Sequence, residues 1–346
     1  MHAMTPAETS ALIKSLARQV GFDLVGITRM EPSRYDKQYC DWIAAGKQGE
    51  MYYLEKGMEE RTDLRKKFAW AKSVVCVALA YFQEKPEARS QKPEVGKIAK
   101  YAWGRDYHKI MNGKLKQLEA RLRRAVGDFQ ARTYCDTGPI LERELASRAG
   151  LGWIGKNTLL IHPWHGSYFV LGEMILDLEL APPLPDSPPP LEPDHCGTCR
   201  RCIEACPTRA IEPYSLDASR CISYLTLEHR GPIAEEFVPA MRVAGYIAGC
   251  DICQEVCPFN RAPLPLKTYD DPSRNRKGAT RTVSELPHSR SLTIATRIAT
   301  CDSVPELPLQ EILAWSEAEW DHCTRGRAFR RAKLTMWQRN ARIVRG

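Results

Sequence analysis

The sequence predicts an α/β (α+β) protein with a layered N-terminal domain, a small cysteine-rich module and a helical C-terminal segment. Three observations carry this expectation. Over the first 180 residues, β-rich runs alternate with stretches of helical period. Residues 181–193 hold seven prolines in thirteen positions, which excludes helix or central strand and reads as a semi-rigid connector. Beyond it, eight of the thirteen cysteines fall between positions 196 and 257. The expected organisation is therefore 1–180, a linker at 181–193, a module at 194–261 and a C-terminal segment at 262–346.

In chain order, residues 5–20 place Leu12, Ile13, Leu16 and Val20 at helical spacing, and Gly21 is the stop before a strand at 22–27. After Ser73, residues 74–81 are apolar, and 73–81 reads as a strand buried on both faces. An amphipathic helix is expected over 109–126, a short strand over 131–135, a helix over 139–149 and mainly strand over 167–180. Residues 262–303 are polar with little periodicity, and helix resumes from Leu307.

The cysteine spacing is the most specific signal. Cys196-x2-Cys199-x2-Cys202-x3-Cys206-Pro207 has the arrangement that wraps a [4Fe–4S] cluster in bacterial-type ferredoxins, where the fourth cysteine reaches a second cluster. Cys250-x2-Cys253-x3-Cys257-Pro258 repeats its second half, with Cys221 lying between. The cross-over rule assigns Cys196, Cys199, Cys202 and Cys257 to one cluster. Cys206, Cys250 and Cys253 fall to the other, with Cys221 joining them by elimination. Zinc sites and a disulfide framework are the competing readings. With two clusters the chain is expected to move single electrons.

The chain has 346 residues, so the module cannot be all of it. No secretory leader or bilayer-length apolar run is present, which gives the expectation of a soluble, cytoplasmic protein without membrane contact. Cys40, Cys76, Cys135, Cys301 and Cys323 are then expected as buried thiols. The net charge is +8, and residues 322–346 carry eight Arg or Lys and no acid. Two readings stay open for that block: a phosphate-following surface with Trp337 available for stacking, or the solvated face of a helix. No GxGxxG or Walker loop announces a nucleotide, and no coiled coil or apolar interface is evident, so a monomer is expected.

Asp136 lies between a strand and a helix whose first turn is marked by Pro139. It reads either as a helix cap or as a general acid whose pKa is raised by apolar surroundings and a flat cofactor. The glycine-rich run 150–161 reads as a ligand-facing loop or an ordinary turn. In Asp106-Tyr-His108-x4-Gly113 the glycine stands two positions too late for the D-x-H-x-x-G element that places a histidine on cobalt.

Tyr101-Ala-Trp-Gly-Arg-Asp-Tyr-His108, Cys135-Asp-Thr-Gly-Pro139, Gly152-Trp-Ile-Gly-Lys-Asn-Thr-Leu-Leu-Ile161, Cys221-Ile-Ser-Tyr-Leu-Thr226 and Gly249-Cys-Asp-Ile-Cys-Gln-Glu-Val-Cys-Pro-Phe-Asn260 extend the comparison over nearly the whole chain. Together they resemble the epoxyqueuosine reductases, cobalamin- and iron–sulfur-dependent enzymes of queuosine synthesis in tRNA. The resemblance implies a nitroreductase- and reductive-dehalogenase-like catalytic domain binding cobalamin base-off, without a histidine on cobalt. It implies Asp136 as proton donor, with Arg61, Asn157, Ser167, Ser223 and Asp251 near the corrin. No helical-repeat extension like that of some members is expected from these 346 residues, so contacts to the tRNA anticodon stem-loop are expected from His229 and Arg230 and from Arg330, Arg331 and Arg339 of the basic tail. The expected reaction is reduction of epoxyqueuosine to queuosine at the wobble position. Its electrons would pass from a low-potential donor such as ferredoxin or flavodoxin through the clusters to cobalamin. A cobalamin-dependent small-molecule reductase is the alternative.

Overall fold

The computed structural model describes residues 4–82, 94–181, 195–260 and 304–346. Nearly all of the expected 181–193 linker, the polar stretch to 303 and Cys301 lie outside the described residues. Helices α1 (Pro6–Val20), α2 (Asp36–Ala44), α3 (Met58–Thr62), α4 (Tyr107–Val126) and α5 (Glu142–Arg148) accompany strands β1 (Leu24–Arg29), β2 (Ser73–Ala80), β3 (Val95–Ile98), β4 (Ala131–Tyr134), β5 (Trp153–Ile154), β6 (Leu160–Ile161) and β7 (Phe169–Leu176). Then follow α6 (Arg201–Glu204), β8 (Ile211–Glu212), β9 (Ser215–Leu216), α7 (Ile222–Leu227), α8 (Val238–Ala244), β10 (Tyr246–Ala248) and α9 (Ile252–Glu255). The last elements are β11 (Glu306–Pro308), α10 (Leu309–Ala314), α11 (Glu317–Thr324) and α12 (Leu334–Arg345). Among the described residues, no helix is long and apolar enough to cross a membrane.

β1, β2, β7 and β4 form an antiparallel sheet in that order. It is covered on both faces, which explains the unbroken apolar run of β2. Val75 and Val77 meet Ile13 and Ala17 of α1 and Met111, Leu115, Leu118 and Leu122 of α4, whereas Val74, Cys76 and Ala78 face Leu145 and Ala146 of α5. Each of the Val, Ile, Leu and Met side chains among these contributes about 1.5–3 kcal/mol on full burial. α1 starts with a Thr5–Glu8 capping box and stops at Gly21, whose φ of 87° is left-handed.

Residues 306–308 correct one expectation. They are strand, not helix, because Pro305 and Pro308 oppose a helical ladder and Leu307 pairs with Gly96. β3 thus stands between β10 and β11, joining residues from all three expected segments. Their side chains share one core, including Ile98, Ile247, Leu307, Phe329 and Trp337. Trp337 is wholly buried, edge-on to Phe329 at 5.2 Å, and offers no surface for stacking on a base. Cys76, Cys135 and Cys323 are buried as expected, but Cys40 is exposed, because α2 buries none of its residues.

Candidate functional site

The eight cysteines fall into two groups. Cys196, Cys199, Cys202 and Cys257 line a cavity of about 170 Å³ together with Lys156, Asn157 and Ile161. Burial pushes the Cys257 thiol up, and Cys196, Cys202 and Cys199 reinforce the shift. Cys253 is held well above the usual thiol range by burial and by Cys250 and Cys221, while Cys250 also feels Cys206. Cys202 in turn acts on Cys253, so the two groups adjoin. The donor set fits two clusters. Thiolates that burial disfavours are offset when they ligate cationic iron. Lys156 Nζ donates to the carbonyls of Gly197 and, at 3.2 Å, Cys199, tying the first cysteine loop to the glycine-rich run.

Asp136 follows β4 with a left-handed φ of 61°. α5 begins only at Glu142, with Leu141 as a cap that makes no side-chain bond, so the carboxylate of Asp136 does not cap it. Instead it accepts from Tyr107 Oη at 3.1 Å and lies 3.3 Å from His108 Nε2. The other nitrogen of His108 is 2.8 Å from Asp106, which also caps α4 through the His108 N–H. The expectation of a raised Asp136 pKa is reversed here. Hydrogen bonding from His108 outweighs burial and holds the carboxyl below its usual range, aided by Tyr107 and Arg331. His108 is raised, first by Asp136 and then, against burial, by Asp106. The two opposite shifts favour the ion pair of carboxylate and imidazolium, which leaves the shared proton one bond behind Asp136.

Arg61 lies at the same turn. Its guanidinium donates to Gly138 O at 3.2 Å, and its buried Nε has no partner, leaving one donor for a ligand. The other predicted cofactor contacts gather near the second cysteine group. Asn157 is buried with Nδ2 3.5 Å from Cys253 O. Ser167 donates to Gln254 at 3.0 Å, and Gln254 donates to Asp251 at 3.2 Å. Burial pushes Asp251 up to about 6, against the Lys100 backbone N–H and ammonium. Ser223 is half-buried, and its N–H bonds to Cys221. Tyr101 senses both Asp251 and Asp136 and meets Tyr107 edge-on at 6.1 Å, so tyrosines border the space between the two regions. An orphaned guanidinium N–H, flat aromatic walls and a histidine with both nitrogens on carboxylates fit a macrocycle with a polar rim and no imidazole ligand.

Beside Asp136, a cavity of about 410 Å³ is lined by Glu50, Tyr52, Tyr53, Leu227, Glu228, Arg230 and Arg331. Arg331 donates to Glu228 at 2.7 Å and to Tyr53 Oη at 3.1 Å. Arg230 is exposed, but His229 has its ring nitrogens on Glu50 and Pro232 O, each at 2.9 Å. Arg330 pairs with Asp321. Arg339 is turned inward, donating to Leu225 O at 2.6 Å, His229 O at 2.8 Å and Gly231 O at 2.5 Å. Of the five basic candidates, Arg230 and Arg331 thus line the cavity. Sequence reasoning missed Tyr52, Tyr53, Tyr107 and Glu142, and set His108 aside on glycine spacing. The adjacent Tyr52-Tyr53 pair, exposed by 62% and 47%, was the one readable signal.

The family model described as "Epoxyqueuosine reductase QueG, DUF1730" matches residues 61–137, and "4Fe-4S double cluster binding domain" matches residues 195–260. The chain is 36% identical over 341 residues to the epoxyqueuosine reductase of Pseudomonas aeruginosa, covering 98% of this chain and 85% of that one. A crystal structure of epoxyqueuosine reductase with an epoxyqueuosine-modified tRNA-Tyr stem loop superposes with a TM-score of 0.75 at 28% identity, covering 97% of this chain and 81% of the other. The Bacillus subtilis enzyme, solved with its catalytic aspartate loop swung out of the active site, gives 0.77 at 28% identity, with the same coverage.

Proposed function

Since the chain belongs to the epoxyqueuosine reductases, a family of oxidoreductases, we propose that it reduces epoxyqueuosine to queuosine in the anticodon loop of tRNA, with Asp136 delivering the proton to the departing oxygen. The observation that carries the reading is the placement of Asp136. Its carboxylate is half exposed, with imidazolium behind it and the Tyr53–Glu228–Arg331 cavity beside it.

The reaction removes an epoxide oxygen as water and leaves a carbon–carbon double bond, consuming two electrons and two protons. When bound, the clusters supply single electrons and cobalamin, through its cobalt, the reducing centre at the pocket. Arg61, with its free Nε, and the group Asn157, Ser167, Ser223 and Asp251 are the residues that would hold the corrin. Asp136 takes the proton from His108 and hands it to the oxygen, so that an alkoxide does not build up. Tyr107 and Asp106 fix the two partners in register. Arg230 and Arg331 meet the phosphates, and Tyr52 and Tyr53 offer flat faces to unstacked bases, the mode by which single-stranded loops are read. That the Bacillus enzyme was solved with its catalytic aspartate loop swung out of the active site supports a turn at Asp136 that admits substrate and then closes.

The test is anaerobic turnover with added cobalamin, a low-potential reductant and an epoxyqueuosine-containing stem-loop, followed by nucleoside mass. Cobalamin-dependent loss of one oxygen is expected. Asp136→Asn should keep the clusters and cobalamin while turnover falls about 10²- to 10⁴-fold, the range of general acid catalysis. Unchanged turnover would remove the proton-donor role.

A further inference from the structure

Glu173 sits in the middle of β7 with none of its surface exposed, and no hydrogen-bond donor reaches either carboxyl oxygen. Its cross-strand neighbours are Cys76 on β2 and Tyr134 on β4, within the apolar face beneath α5. A carboxylate so placed, without a donor, does not stay ionised. Glu173 therefore holds a proton, and the group within reach to accept it is the carboxyl of Glu142, the first residue of α5. Glu142 in turn accepts the backbone N–H of Asp136. The three form a chain from the sheet interior to the site: Glu173 O–H to Glu142 carboxylate to Asp136 N–H.

The turn needs such a hold. Asp136 is left-handed at φ 61°, a conformation unfavourable for an L-residue that persists only where the surroundings enforce it. Besides Glu142, the turn is closed by Thr137 N–H donating to Cys135 O at 2.7 Å. We propose that Glu142 and Glu173 are a one-proton latch, running from the sheet interior to the half-buried start of α5, that positions the Asp136 turn, with Glu142 the anion and Glu173 the proton carrier. They are positioning residues, and the inference rests on the proton-donor reading of Asp136 for its catalytic consequence.

The charged and titratable groups around the pair are Asp136, Cys135, Cys76, Arg143 and Arg148. Arg143 places its guanidinium on Thr158, with Oγ1 at 3.2 Å, and Arg148 donates to Arg29 O at 2.7 Å, so neither replaces the shared proton. Burial raises Glu142 to about 7, against the Asp136 N–H bond, and raises Glu173 well above the carboxyl range. The pair passes from two protons to one near neutrality, and the Glu142 anion, a stronger acceptor for the Asp136 N–H, forms as pH rises through that value.

The test is amide hydrogen–deuterium exchange over residues 131–141 in the cluster-loaded protein without cobalamin, paired with stem-loop reduction by the fully loaded enzyme. Glu142→Ala should speed exchange at the turn about tenfold, the equivalent of one lost hydrogen bond, and lower kcat with little change in KM. Glu173→Gln keeps a donor for Glu142 and should behave as the parent protein in exchange, whereas Glu173→Leu should match Glu142→Ala. Glu142→Gln, which retains an acceptor oxygen, serves should either apolar variant fail to fold, and should fall between parent and Glu142→Ala while losing the pH dependence of exchange near 7. Parent-like exchange in Glu142→Ala, equal losses in Glu173→Gln and Glu173→Leu, or an unchanged pH dependence in Glu142→Gln would overturn the latch. If Asp136→Asn turns over normally the proton-donor reading fails, but the exchange result still decides the latch.

Discussion

Arg339 separates a structural arginine from an RNA-binding one. Its guanidinium donates to three backbone carbonyls, Leu225, His229 and Gly231, and to Asn340 Oδ1, whose own amide bonds Thr226 O and Ile247 O. The arginine thereby ties α12 to the end of α7 and the loop after it. Replacing it with alanine leaves three carbonyls without their donor. At about 1 kcal/mol for each such bond, partly refilled by water, the loss is about 3 kcal/mol. With roughly 2 °C per kcal/mol for a chain of this size, the unfolding midpoint should fall by about 6 °C. The assay is thermal unfolding of cluster-loaded protein beside stem-loop binding at two salt concentrations. Arg339→Ala should lower the midpoint and leave the salt slope of binding intact, whereas Arg331→Ala should reduce that slope by about 0.7, one phosphate contact on a single strand. A parent-like midpoint for Arg339→Ala with a reduced salt slope would refute this reasoning and make Arg339 a phosphate contact.

Cys221→Ala should leave the Cys196–Cys199–Cys202–Cys257 site loaded and empty the other, so that iron content falls by roughly half; unchanged iron would remove Cys221 from the ligand set. His162 is held down to about 4, first by burial and then by His165. A histidine whose folded pKa lies below its usual 6.5 contributes stability present above 6.5 and lost as pH falls toward 4, here about 2 kcal/mol between pH 7 and 5. Urea unfolding of the parent should show that loss and His162→Gln should flatten it; the same slope in both would assign it elsewhere.

The elements legible in the sequence were those whose signal is local. α1, β2, α4 and β7 each carry a period or an apolar run that their own burial demands, and Gly21 ends α1 as its left-handed φ requires. The β3–β10–β11 sheet was not legible, because its three short strands are stabilised by one another across some two hundred positions and none shows alternation of its own. Trp337 illustrates the same limit. An aromatic within a basic block has one appearance whether it faces nucleic acid or, as here, closes a core with Phe329 and Trp315. The cysteine spacing was readable because ligation itself imposes it.

The state of Asp136 shows why site chemistry is harder to read than site membership. Adjacent apolar residues suggested a carboxyl kept protonated by burial. What decides its state is His108, brought to Asp136 by α4 packing against the sheet and aimed by Asp106 at the mouth of that helix. The imidazolium lowers the Asp136 pKa, which weakens the carboxyl as a resting proton store; in the proposed proton-donor role it would instead relay a proton held next door. Entry of a substrate and a flat cofactor would remove water from the half-exposed carboxylate and raise its proton affinity, moving the proton from nitrogen to oxygen as the site closes. In the proposed role, a donor protonated only when the pocket is full would avoid spending reducing equivalents on water, and this requires both the histidine behind Asp136 and a turn that stays where the histidine can reach it.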